Sequence, residues 1–267
     1  MLLIFTASSI KNEVVQRRGP GARPFSTRTV RRRLNEAGLK ARHPLKRLRL
    51  LPRHRISRFQ WATCHQWTQR QWNRVLFSDE SRFKLHHADG RVRVYRRQGE
   101  RLNDNCILES EAYGGGSLMV WGGISFGGRT ELVFIDGNLN SQRYVDEILR
   151  PQVIPYIGAM GNGAIFQDDN ARPHRGRIAL NFLEQNGVET LEWPALSPDM
   201  SPIEHLWDVM EREIRKQITP NTTLQELRPL LQRAWQQIPQ HQINRLICSM
   251  RARIGECLAT QGGHTHY

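Results

Sequence analysis

Two short apolar runs, Val75-Leu76-Phe77 and Ala164-Ile165-Phe166, restrict the fold most, because each breaks off into acidic residues. A run of this length, bounded by polar or turn residues, reads as a buried strand. The first leads to Asp79 and the second to Asp168-Asp169. Side chains at strand ends face a cleft rather than a core, so the acids are expected at one rim. A third acid, Glu204, follows Ser197-Pro198-Asp199-Met200-Ser201-Pro202. It falls in the first turn of a helix whose apolar face is Ile203, Leu206, Trp207, Met210 and Ile214. Three carboxylates converging from two strands and a helix can hold two divalent cations, which activate a nucleophile and stabilise the leaving oxygen of a phosphodiester. An all-oxygen set favours a hard ion such as Mg²⁺. Taken singly, each acid is more often a surface residue or a cap, and the helix dipole alone favours Glu204 in a first turn.

The remaining pattern supplies the rest of a sheet and its covering helices. Val92, Val94 and Tyr95 suggest one strand, Leu118–Trp121 another that stops at Gly122-Gly123, and Leu132–Ile135 a third that ends in Asp136-Gly137. A helix is expected around Arg143–Tyr156 and another over Arg177–Gln185, followed by a short strand at Val188–Leu191. Leu224, Leu227, Leu231, Ala234, Trp235 and Ile238 mark a further helix in a helical last third. This order predicts an α/β domain, a mixed sheet flanked by helices. Trp121, Trp193 and Trp207 are read as core, and the four cysteines, none in a C-x-x-C pair, as ordinary thiols. Gly114–Gly116 lacks the Lys-Ser/Thr that a nucleotide-cradling loop needs.

Charge separates the first quarter of the chain from the rest. Residues 1–60 hold 16 Lys/Arg against Glu13 and Glu36, which accounts for the whole net charge of +14. Such one-signed density reads as a polyanion-binding arm. A short helix is expected over Thr6–Arg17, with Ile10 and Val14 on one face. After the break Gly19–Pro24, Ser26 or Thr27 caps a second helix with Val30, Leu34 and Ala37 inward, and Gly38 ends it. Arg28, Arg31, Arg32 and Asn35 then point outward, as the reading helix of a helix-turn-helix does. Lys40–Arg58, including Lys46, Arg47 and Arg49, reads as a basic linker along a phosphate backbone, with a helix over Arg58–Gln71. No apolar stretch approaches the ~18 residues of a membrane span.

Four motifs in this order resemble the mariner superfamily of DNA transposases, in the branch of the nematode Tc elements. They are Val75-Leu76-Phe77-Ser78-Asp79-Glu80-Ser81-Arg82-Phe83, the run Gly114–Gly123, Phe166-Gln167-Asp168-Asp169-Asn170-Ala171-Arg172-Pro173-His174, and Trp193–Trp207. Thirty-four residues separate Asp169 from Glu204, the spacing of the branch with Glu in third place. The resemblance implies an RNase H-like catalytic domain over 73–267, a partial helix-turn-helix domain over 1–39, and a basic linker with a connecting helix over 40–72. It implies Asp79, Asp169 and Glu204 as catalytic metal ligands for two Mg²⁺ ions, with Mn²⁺ able to substitute. It further implies strand cleavage at terminal inverted repeats of double-stranded DNA, strand transfer into TA steps, homo-oligomeric assembly on that DNA, and a nuclear location. Nothing in the chain resembles the first of the family's two helix-turn-helix units, so a shortened copy is expected, with its activity left open.

One departure is Asp168, where the family has Gln or His. An extra carboxylate there is expected to weaken the approach of DNA. His174 reads as a structural hydrogen-bonding residue rather than a phosphate contact, and Asp208 as a solvated helix acid rather than a fourth ligand. Two rival readings are a transposon-derived DNA-binding protein without catalysis and an RNase H-like nuclease acting on RNA–DNA hybrids.

Overall fold

A computed structural model describes residues 7–18, 25–38, 49–85, 116–219 and 221–267. It divides into two compact units, residues 1–49 and 50–267. The expected strand around Val92–Tyr95, the break Gly19–Pro24, and Lys46 and Arg47 lie outside the described residues.

In the first unit, α1 (Ala7–Arg18) packs against α2 (Thr27–Glu36). The Ser26 side chain accepts from the Thr29 amide at 3.2 Å and so starts α2, and Gly38, at φ 77°, ends it. Val30 is buried, as its place on the inner face requires, whereas Ala37 is exposed at the cap and does not belong to that face. Arg28, Arg31, Arg32 and Asn35 are all exposed.

The second unit begins earlier than the charge pattern suggested. Helix α3 spans Pro52–Cys64, with Pro52 in the first turn, where its missing N–H leaves nothing unsatisfied. The basic linker therefore does not run to Arg58, whose side chain is completely buried. The short α4 (Gln69–Trp72) leads into the sheet.

Among the described residues six strands make that sheet: β1 (Val75–Lys84), β2 (Ser117–Ser125), β3 (Gly128–Arg129), β4 (Val133–Ile135), β5 (Ile165–Gln167) and β6 (Glu189–Leu191). Their order is β3-β2-β1-β5-β6, with β4 also on β2. β1 runs antiparallel to β2 and parallel to β5, and β5 runs parallel to β6. Two strands outrun the sequence reading. β1 continues past Asp79 to Lys84, because β2 pairs with it from Phe77↔Ile124 to Lys84↔Ser117. β2 in turn passes through Gly122-Gly123 instead of stopping there.

Period-two alternation sends β1 into two cores. Val75, Phe77 and Phe83 join one cluster with Trp61, Trp72, Val120, Ile124, Trp207 and Trp235. That face is covered by α3, α8 (Pro202–Arg215), α9 (Leu224–Gln237), α10 (Gln240–Cys248) and α11 (Met250–Ala259). Leu76 joins the other, with Trp121, Phe166 and residues of the 141–160 helix and α7 (Arg177–Gln185). The 141–160 helix starts as α5 (Ser141–Arg143), widens into i→i+5 winding over Tyr144–Val153, and finishes as α6 (Ile154–Met160). Pro151 lies inside the wide stretch, where an ordinary helix would lack the amide it needs. Among the described residues no helix is long and apolar enough to cross a membrane.

Candidate active site

The cleft arises from unequal strand lengths. β5 pairs with β1 only at Val75↔Ile165, Leu76↔Phe166 and Phe77↔Gln167, then stops. Asp79 is thus in mid-strand and not at a strand end, but it lies just beyond the point where β1 loses its β5 neighbour. Alternation turns Asp79 toward the α8 face. There its Oδ2 accepts from the Trp207 indole N–H at 3.0 Å. Trp207 itself is core, stacked on Trp235 at 5.3 Å and edge-on to Phe83. Gly122, the register partner of Asp79, makes room for this pair, since a Cβ there would stand 2.9 Å from Trp235 and 3.0 Å from Trp207.

Glu204 sits half-buried in the first turn of α8. Among the described residues no basic side chain pairs with either Asp79 or Glu204. Burial, together with the charges of Glu204, Glu80 and Asp169, pushes the Asp79 carboxyl well above the usual carboxylate range. Burial, with Asp208 and Asp169, also raises Glu204. The three expected acids therefore lie close enough to repel one another. Asp208 is exposed, as a solvated helix acid should be.

Asp169 follows β5 and is held differently. Its Oδ1 accepts from the Ala171 amide at 2.8 Å and pairs with His174 Nδ1 at 2.8 Å, while that nitrogen is also hydrogen-bonded to the Asp169 carbonyl at 3.3 Å. Burial opposes ionisation, but these bonds and the charges of His174 and Arg175 hold the carboxyl below its ordinary value. His174, 2% exposed, also reaches Glu80 Oε1 with its Nε2 at 3.2 Å. Burial disfavours the charged imidazole, yet the two carboxylates raise its pKa to about 10. Glu80, Asp169 and His174 bring their ligand atoms within 4.8 Å of one another. Both ring nitrogens of His174 are engaged, Nδ1 with the carbonyl and carboxylate of Asp169 and Nε2 with Glu80.

Asp168 is buried beside this acid patch, where the charges of Asp169 and Glu80 still reach it. It is 2% exposed and forms an ion pair with Arg175. Burial pushes its carboxyl up to about 6 against the charges of His174 and Arg175. The expected hindrance to DNA thus meets a carboxyl turned inward and paired. β5 ends at Gln167, so both acids lie beyond the strand, and burial separates them: Asp168 is buried and Asp169 is half-exposed.

Sequence reasoning missed Glu80, the indole donor of Trp207, and the anchoring of the loop before α8. Strand alternation beside Asp79 carried the signal for Glu80, and a one-turn offset from Glu204 carried it for Trp207. The loop is anchored by Arg58, which makes paired 2.7 Å bonds to both Asp199 oxygens and donates to the carbonyls of Leu196, Gly262 and Gly263. Leu196 adopts φ 54° there, and Arg253 donates to the Asp199 carbonyl at 2.7 Å. Nothing local in the sequence announces these contacts.

The fold and the acid patch together define a class. Solved structures of Mos1 mariner transposase share the fold: the paired end complex with Mn superposes with a TM-score of 0.73 at 17% identity, over 100% of this chain and 81% of that one. The Mos1 catalytic domain superposes with a TM-score of 0.63 at 16% identity, over 83% of this chain and all of that one. The second unit is RNase H-like, and the DDE superfamily endonuclease family matches residues 74–227. A transposase helix-turn-helix family matches residues 5–67. Among curated relatives, the Tcb2 transposase of Caenorhabditis briggsae is 36% identical over 244 residues, covering 91% of this chain and 88% of the relative. The Tc1 transposase of Caenorhabditis elegans is 34% identical over 246 residues, with the same coverage. The Tc3 transposase of Caenorhabditis elegans is 30% identical, covering 98% of this chain and 76% of the relative. The chain belongs to the Tc1/mariner family of transposases, with a DDE endonuclease domain.

Proposed function

We propose that this chain cleaves DNA strands at the terminal inverted repeats of its element and transfers them to TA steps in target DNA, using Asp79, Asp169 and Glu204 as one divalent-cation site. The observation that carries this reading is the convergence of three carboxylates, two of them with no basic partner among the described residues. Uncompensated like charges at one place are unfavourable unless a cation joins them. A pair of Mg²⁺ ions, with Mn²⁺ able to substitute, supplies charge neutralisation and Lewis acidity at the scissile phosphodiester. Trp207 engages one Asp79 oxygen and His174 one Asp169 oxygen, which leaves each acid a second oxygen outside these contacts.

The first unit suits DNA binding, with Arg28, Arg31, Arg32 and Asn35 exposed on α2 and Arg49 exposed at its end. Lys46 and Arg47 belong to the same proposed phosphate-contacting stretch. Mos1 has been solved as a paired-end complex with its left transposon end and as a strand transfer complex. We extend that arrangement to a homo-oligomer of this chain on DNA, working in the nucleus.

The test is a nicking assay on duplex DNA carrying the terminal repeat, beside an RNA–DNA hybrid of equal length. Mg²⁺-dependent nicking of the duplex alone is expected. Asp79→Asn, Asp169→Asn and Glu204→Gln should each abolish it, and a double variant should be scarcely worse than a single one. Cleavage confined to the hybrid, or metal-dependent nicking that survives all three changes, contradicts the proposal.

A further inference from the structure

The hydrogen-bonded ladder between β1 and β5 ends at Phe77↔Gln167, two residues short of both Asp79 and Asp169. The last direct tie is the Ser78 hydroxyl donating to the Gln167 carbonyl at 2.9 Å. Beyond it, nothing among the described residues of the sheet itself fixes how far apart the two acids stand. His174 closes that gap. Its Nε2 reaches Glu80 on β1 at 3.2 Å, and its Nδ1 reaches Asp169 after β5 at 2.8 Å. The residue is held in place. Its amide donates to the Ala171 carbonyl at 3.0 Å, the buried Tyr144 ring lies against it at 4.2 Å, and its own exposure is 2%.

We propose that Glu80 and His174 are positioning residues, a cross-brace that sets the separation of Asp79 and Asp169 and commits one Asp169 oxygen to His174, so that only the other is offered to a cation. Glu80 is the strand neighbour of Asp79, so fixing its side chain on one face of β1 fixes Asp79 on the other. Asp169, held at Oδ1 by the Ala171 amide and by its 2.8 Å contact with His174, cannot swing to chelate with both oxygens without breaking these. A partner behind a ligand typically changes metal affinity about 10–100-fold when removed.

This inference rests on the reading of Asp79, Asp169 and Glu204 as a cation site. Mn²⁺ uptake by the full chain, followed from the signal of free Mn²⁺ in electron paramagnetic resonance, tests the two separately. The samples are the parent, Asp169→Asn, Glu80→Gln, His174→Gln and the Glu80→Gln/His174→Gln pair, each with a metal-free thermal melt. The parent should bind Mn²⁺ and Asp169→Asn should lose it. His174→Gln should weaken binding roughly 10–100-fold and Glu80→Gln less. The pair should be no weaker than His174→Gln alone, because both changes cut the same brace. Glu80→Gln keeps the shape of the side chain and guards against a variant that merely fails to fold. If Asp169→Asn loses Mn²⁺ while Glu80→Gln and His174→Gln both stay within about twofold of the parent, the brace is overturned and the cation site stands. A lowered melt with unchanged Mn²⁺ affinity also overturns it, since the bridge would then serve stability alone. If the parent takes up no Mn²⁺, or Asp169→Asn binds as the parent does, the cation site fails and the brace with it.

Discussion

Asp199 and Asp79 are both largely withdrawn from water, but their surroundings differ in kind. Asp199 lies against a completely buried guanidinium that grips both its oxygens, and the Thr265 amide adds a 2.8 Å bond. Among the described residues Asp79 has a single neutral donor, the Trp207 indole, and three acids for company. The first arrangement joins α3, the loop before α8 and the chain end at 262–265 into one anchor. The second is unfavourable in isolation and makes sense as half of a site that a cation completes. Burying a carboxylate is expensive in either place, and the partner that offsets the expense tells which acids serve folding and which serve chemistry.

The largest effect should come from breaking the compensated pair. Arg58→Ala leaves Asp199 buried without its cation and should destabilise the chain by about 3–5 kcal/mol. Denaturant unfolding measures this. The pH dependence sharpens it. Burial raises the Asp199 carboxyl, but hydrogen bonds from Arg58 and Thr265 outweigh it, so the folded pKa is depressed. A depressed carboxyl contributes stability above its unfolded pKa of about 3.9 and loses it as pH falls through the folded value. The parent and Asp199→Asn should therefore differ at neutral pH and converge in acid. A difference that stays constant down to low pH breaks the comparison.

The uncompensated acid should respond with the opposite sign. Asp79→Asn removes one of several like charges, keeps the shape, and should stabilise the metal-free chain by about 1 kcal/mol while abolishing cleavage. A thermal melt in chelator measures the gain. A loss comparable to that of Arg58→Ala would place Asp79 among the structural acids.

The parts of the fold built from local pattern were legible in the sequence. β5, α7, α8 and α9 fall where apolar period and caps put them, and α7 spans the expected Arg177–Gln185. The extension of β2 through Gly122-Gly123 was not legible, because the space that Trp207 and Trp235 occupy there comes from helices far along the chain. Arg58 was misread for a similar reason. Local charge makes it one more basic residue, whereas its partner Asp199 lies 141 residues on. Within the site, spacing and resemblance pointed to Asp79, Asp169 and Glu204, but partners could not be read from them. His174 reads correctly as a hydrogen-bonding residue, yet only the packed strands reveal that it joins Glu80 to Asp169.

The choice between the adjacent acids Asp168 and Asp169 tests the account most directly, because the whole assignment depends on which carboxylate enters the cleft. Asp168 is buried against Arg175, and Asp169 stands beyond the strand end beside Asp79 and Glu204. The measurement is the Mg²⁺-dependent nicking rate of terminal-repeat duplex by Asp168→Asn and Asp169→Asn, with both variants verified as folded. Asp168→Asn should keep most of the parent rate, and Asp169→Asn should have none. Cleavage by Asp169→Asn together with an inactive, folded Asp168→Asn would contradict the account.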